Sequence, residues 1–163
     1  TLTPEGRKTA YFASPRGLFS TATGNMLQDE ILHKAGMVNV SRHLHGYFRD
    51  VSPEQLIRWN PQIIVLSQCL GKSVWQHMEN PALHSIAAVS EKAVYRFPSS
   101  LSPWDFPSPL SALAVLWLAE KAYPEQFSDV DIRSVVNQFH RQLFGKSLDE
   151  MNGTLSDTIY PAP

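Results

Sequence analysis

With one cysteine among 163 residues, the chain gives Cys69 no partner for an internal disulfide. Cys69 follows an apolar run expected to be a buried strand, so a core thiol is the expected reading, and cysteine usage leaves the compartment open. Long hydrophobic runs are also missing. The richest, Leu110 to Ala119, stops at Glu120, well short of the roughly 18–20 apolar residues of a membrane-spanning helix. Charge of one sign is missing too: 14 Lys and Arg against 15 Asp and Glu leave a net −1, which offers no basic field to nucleic acid or an anionic membrane. The opening TLTPEGRKT has no apolar signal-peptide core, as expected of a cytosolic protein or of a mature piece whose targeting segment has been removed.

The motifs of common chemistries are absent as well. No Walker sequence and no GxGxxG occurs, so nucleotide binding has no support. GxSxG, HExxH and CxxC are likewise missing, which removes the usual hydrolase, zincin and thioredoxin signatures. Asp29/Glu30 and Asp149/Glu150 are adjacent pairs that point apart on a helix, and solvated carboxylates are the expectation for both.

What is present is 43% hydrophobic residues in a length suited to one domain with its own core. Strands are expected at Arg7–Ala13, in MVNVS, in QIIVLS and at Ala93–Phe97. The unbroken apolar run of QIIVLS suits a buried parallel position. Helices are expected at about Asn25–Ala35, with Gly36 at C′, and after Ser52, with Pro53 at N1 and Gln55 completing a capping box. Others are expected around Lys72–Met78, in a short turn opened by Pro81, and from Ser108, as cap, to about Ala122. Ser85–Val89 leads toward the strand at Ala93. The last helix, capped by Asp129, carries Ile132, Val136, Phe139 and Leu143 as an apolar stripe, and residues 154–163 read as a frayed tail. Alternating strands and helices predict an α/β three-layer sandwich, residues 1–163 forming one domain around a mainly parallel sheet.

Ligands of such sheets sit beyond the carboxyl ends of the strands. Ser14–Gly24, Ser67–Lys72 and Pro98–Pro107 are then expected to share an edge, with the 41–51 loop joining from the side. The loop Pro98–Pro109 holds four prolines in twelve residues and is expected to present Trp104 and Asp105. With Tyr47 and Phe48 it describes a stacking surface for a flat ligand. Arg16, Arg42, Arg49 and Arg96 are candidate charges for an anionic ligand. His43 and His45 alternate as on a strand and are a weak two-histidine metal signal. His33, His77, His84 and His140 read as surface or helix-end residues. Glu54 either complements the helix dipole or serves as an exposed anion for a cationic partner.

Four stretches in order, over about residues 8–145, resemble the helical-backbone (class III) substrate-binding proteins of ABC importers. TGNMLQDEILHKAGMVNVS is similar to the family's helix followed by Ala-Gly-Gly-x-Asn-Val, with Met37 in place of the second Gly. VSPEQLIRWNPQIIVLS resembles its Val-Ser-x-Glu-x-Leu and Asn-Pro-Asp-x-Ile segment, with Gln62 for Asp. AVSEKAVYRFP resembles Ala-Val-Lys-Asn-Gly-x-Val-Tyr, and SPWDFPSPLSALAVLWLAEKAYPE its Trp-Asp loop and helix. The resemblance covers the C-terminal lobe only. It implies a missing N-terminal lobe, a periplasmic or lipid-anchored location, and no enzymatic activity.

The implied ligand is a metal chelate, a ferric siderophore, haem or a corrinoid, with no resident cofactor, delivered to a membrane permease. Glu54 matches the glutamate that docks on the permease. Phe48 matches a ligand-facing aromatic, with Tyr47 as its alternative, and Trp104 falls in a cleft-facing loop. Arg42, His43, His45 and Arg49 are cleft-rim candidates. The competing expectation is a stand-alone α/β enzyme or regulatory domain with a His-based metal site.

Overall fold

The computed structural model describes residues 6–71, 74–153 and 155, and the backbone of 158–159. In chain order the strands are β1 (Thr9–Ala13), β2 (Ser20–Thr21), β3 (Val38–Asn39), β4 (Arg49–Asp50), β5 (Ile63–Leu66), β6 (Val94–Arg96) and β7 (Thr158–Ile159). The α-helices are α1 (Leu27–Lys34), α2 (Pro53–Trp59), α3 (Val74–Met78), α4 (Ala87–Ser90), α5 (Ser111–Ala122) and α6 (Ile132–Phe144).

Side-chain alternation along β1 and β5 creates the layers. The two strands pair in parallel, Ala10 opposite Ile63 through Ala13 opposite Leu66. Ala10, Phe12, Ile63 and Val65 enter one core with Leu32, Trp117 and Val136 of α1, α5 and α6. Tyr11, Ala13, Ile64 and Leu66 enter the other with Leu56, Met78 and Val89 of α2, α3 and α4. Every residue of β5 is therefore buried, which is why its sequence is apolar without a break. β6 adds in parallel on β5. On the opposite side β1 divides its edge: Thr9 and Ala10 run parallel to β3, and Ala13 meets β2 antiparallel. Antiparallel β4 and β7 close the two ends of the sheet. The mainly parallel α/β sandwich expected from the sequence is the observed fold.

Local chemistry explains most boundaries. At the end of α1, Met37 N–H donates to Leu32 O at 2.9 Å and Gly36 N–H to His33 O at 3.0 Å. This is a Schellman closure that needs the positive φ of Gly36, +84°. Met37 is buried in the first core, so its replacement of a glycine adds apolar contact. Ser52 caps α2 through Gln55 N–H at 3.1 Å. Gln62 replaces the usual Asp without loss of pairing, its Oε1 accepting from Thr9 N–H at 3.0 Å.

Several expectations are corrected. Ser108 does not cap α5 with its side chain: its Oγ is buried without a partner, and its carbonyl takes Ser111 N–H at 3.0 Å. Asp131, not Asp129, caps α6, accepting from Arg133 N–H at 3.0 Å and Ser134 Oγ at 2.8 Å. Within the α6 stripe, Val136 is buried, Ile132 and Phe139 pack at the core's margin, and Leu143 is 45% exposed because α6 outruns the core. The approach at Ser85–Val89 coils into α4, whose first N–H, on Ala87, is received by Asn60 Oδ1 at 2.8 Å.

Asp29 is not solvated; it is buried on Asn39 Nδ2 at 2.9 Å. Asp149 accepts from Asn137 Nδ2 at 2.6 Å. Glu150 forms a capping box with Ser147, with bonds of 2.8 and 3.1 Å, and the Ser147 backbone and hydroxyl donors, with Arg141, pull its carboxyl down to about 2. Lys72, Ser73 and residues 1–5 lie outside the described residues. So does most of the tail expected to fray, although Thr158–Ile159 pairs with β6.

Candidate functional site

β1, β5 and β6 run parallel, so the segments after them emerge on one edge, and two side chains knit that edge together. Arg96 Nη1 donates to the carbonyls of Ser67 at 3.4 Å, Gln68 at 3.3 Å and Leu70, and its guanidinium lies 5.5 Å from the Trp75 ring. A guanidinium whose Nη1 is committed to three carbonyls is a strut for the 67–71 turn. Asp105 is the second tie. Ser67 Oγ donates to its Oδ2 at 2.5 Å, and Gln28 Nε2 reaches its carbonyl at 2.8 Å.

The proline-rich loop therefore does not present Trp104 and Asp105; both are wholly buried. Trp104 Nε1 donates to Ser100 Oγ at 3.2 Å, and Ser100 Oγ lies 2.9 Å from His140 Nε2. His140 Nδ1 donates to Val136 O at 2.8 Å. A carbonyl only accepts, so the Nδ1–H tautomer lets Nε2 accept from Ser100. His140 is thus a core residue rather than a helix-end one, satisfied at both nitrogens.

Burial pushes the Asp105 carboxyl above its ordinary value, against the opposing bonds from Ser67 and backbone N–H groups, and its Oδ1 has no partner. A raised folded-state pKa means that the native state holds its proton longer than the unfolded chain. Asp105 should therefore cost stability as pH rises from the ordinary aspartate range through its raised pKa. Replacing Asp105 by Asn should flatten that part of the profile in urea midpoints measured across pH. Parallel curves for the two proteins would remove the assignment.

The 41–51 loop does join the edge from the side, through β4 on β2, Ser20 opposite Asp50. Thr23 Oγ1 donates to Gly46 O at 2.5 Å, and Arg16 Nη1 to Phe48 O at 3.4 Å. Cavities flank the loop on two sides. One, of about 330 Å3, is lined by Asn25, Met26, Leu27, Gln28, Tyr47, Phe48, Phe106 and Pro107. Tyr47 is 84% exposed, while Phe48 is anchored by stacking on Phe12 at 6.5 Å between ring centroids and 22° between planes. The other, of about 650 Å3, lies toward α2 and includes His43, His45, Arg49, Gln55 and Trp59.

The residues grouped from sequence as ligand-binding are thereby divided. Tyr47 and Phe48 share the aromatic cavity, His45 and Arg49 line the α2-side cavity, and Trp104 is core. Arg42 is exposed and lines neither cavity. Among the described residues no three His, Cys, Asp or Glu side chains gather as a metal site. Phe106, Gln28 and Trp59 were not singled out from the sequence, where only Phe106, beside Trp104 and Asp105, carried a signal.

Cys69 is exposed, not a core thiol, because β5 ends three residues before it at Leu66. Desolvation and the Asp105 charge raise its pKa against Arg96. Glu54 is exposed in the first turn of α2. Its own backbone N–H and the Ser52 hydroxyl hold its carboxyl below the usual value, so it is an anion at neutral pH.

Comparison with known proteins places this geometry. The molybdate-binding protein MolA of Haemophilus influenzae is 29% identical over 150 residues, covering 90% of this chain and 41% of its own. Its molybdate-bound structure superposes with a TM-score of 0.77 at 28% identity, over 90% of this chain and 44% of that one. Helicobacter pylori CeuE with bound Ni(II) gives a TM-score of 0.78 at 26% identity, over 90% and 47%. A periplasmic solute-binding protein of Veillonella parvula, at 24% identity and a TM-score of 0.77 over 91% and 47%, shares the fold. The chain spans less than half the length of each of these relatives. The family described as periplasmic binding protein matches residues 3–101, over half of the 163 present, and this chain belongs to that family.

Proposed function

We propose that these residues form one lobe of the extracytoplasmic binding protein of an ABC importer, which carries a metal chelate to its permease without chemical change. The observation that carries the reading is the Tyr47–Phe48–Phe106 cavity beside the carboxyl edge of the sheet. Aromatic faces held against a sheet edge suit a ligand with flat or apolar surface, such as an organic chelate, haem or a corrinoid. Of the similar proteins, MolA is named for molybdate and CeuE is solved with Ni(II) bound, so a metal-containing ligand is in keeping with both. A second lobe supplies the facing wall, Glu54 docks the loaded protein on the permease, and the site of action is periplasmic.

The test is fluorescence titration of the full-length binding protein with haemin, cyanocobalamin, a ferric tris-catecholate and molybdate. One chelate should saturate the signal, and Tyr47→Ala should weaken it about three- to tenfold, the worth of one aromatic contact, with an unchanged melting temperature. Binding of molybdate alone, indifferent to Tyr47, would replace the chelate by an oxyanion. No binding to any of the four would sink the reading.

A further inference from the structure

The larger cavity, on the α2 side of the 43–49 loop, takes no part in holding the ligand as proposed above. Its lining includes Trp59 and Arg49. Arg49 Nε donates to His45 O at 2.8 Å. The guanidinium lies along Gly46, where φ is +95° and a Cβ would stand 3.4 Å from Nη2. One side of the fork is therefore pinned by backbone, while Nη1 and Nη2 meet no acceptor among the described residues. A guanidinium tethered through Nε with its other N–H groups unpaired is a ready receptor for a carboxylate. Asp50 is the sole carboxylate among the lining residues and leaves those N–H groups unclaimed. Ser52 and Gln55, from the start of α2 that also carries Glu54, line the same cavity.

We propose that this cavity receives an acidic side chain of the importer's permease, with Arg49 as its counter-ion. The proposal rests on the docking reading above and adds a second contact of opposite sign to the one assigned to Glu54. A ligand carboxylate is the less fitting occupant, because Tyr47 and Phe48 line the other cavity, whereas this one is lined by Ser52 and Gln55, the residues that flank Glu54 at the start of α2. Two neighbouring contacts of opposite charge fix the orientation of docking, since a rotated partner would set like charges together.

Binding of the complete binding protein to its importer in lipid nanodiscs tests this by interferometry. Arg49→Glu should weaken the complex roughly 10- to 100-fold, and Arg49→Lys, which keeps the charge but loses the fork, by clearly less. Gln55→Glu puts an anion into the cavity lining at a helix position that favours it. It should also weaken binding, without the risk to the loop that a change at Arg49 carries. Wild-type binding by Arg49→Glu or Gln55→Glu, with Glu54→Arg defective, overturns the cavity's role and leaves the Glu54 contact standing. Wild-type binding by all of them removes docking through this face altogether. If Arg49→Lys is as damaging as Arg49→Glu, Arg49 serves the loop and the counter-ion role is overturned.

Discussion

Glu54→Arg should abolish permease-coupled uptake while ligand affinity stays within about twofold of wild type. Setting like charges against each other at an interface costs several kcal/mol, on the order of a hundredfold or more in the affinity of the complex. Glu54 is exposed, touches its own N–H and the Ser52 hydroxyl, and lines neither cavity described beside the 43–49 loop. Ligand binding therefore has no route by which to fail. Gln55 N–H still has the Ser52 hydroxyl at 3.1 Å, so the helix start survives the exchange. Uptake of radiolabelled substrate by cells and equilibrium binding by the purified protein separate the two effects. Uptake at the wild-type rate would remove Glu54 from the interface.

Trp104→Ala should destabilise the fold by about 3–5 kcal/mol, the usual cost of emptying a buried aromatic site. Three losses combine there. The indole is completely buried in the first core. Its N–H is one of the groups bonded to Ser100 Oγ, at 3.2 Å. Ser100 in turn orients His140, whose ring is itself buried. Urea unfolding of the variant should show a lower midpoint with an unchanged slope. A variant as stable as wild type but defective in ligand binding would return Trp104 to the cleft-facing role that its loop suggests from sequence.

The legible parts of the fold are those whose signal is local. QIIVLS announces a strand buried on both faces, Gly36 and Ser52 mark a helix end and a helix start, and Pro81 opens a turn. Two-residue β2, β4 and β7 have no period to read, and β4 and β7 depend on partners about 30 and 60 positions away along the chain. Trp104 is misplaced by local reading because prolines and serines around it resemble an exposed loop. Its burial follows from packing by α5 and α6 and from a histidine 36 positions later in the sequence. The candidate site is legible as a loop and illegible as a partition. Tyr47 and Phe48 sit next to Arg49 in sequence, but the turn at Gly46 and the pairing of β4 send them to separate cavities.

That thin loop has a thermodynamic consequence. Residues 43–49 supply walls to both cavities, and their ties include side-chain bonds from Thr23, Arg16 and Arg49, the Leu44 N–H bond to Ser41 O and the pairing of Arg49 with Thr21. An occupant that resets the loop from one side changes the affinity on the other by some factor, and equilibrium linkage requires that factor to be the same in both directions. A partner that loosens Tyr47 and Phe48 on docking would therefore be released by the filled aromatic cavity to the same extent. One that stiffens them would be recruited by it.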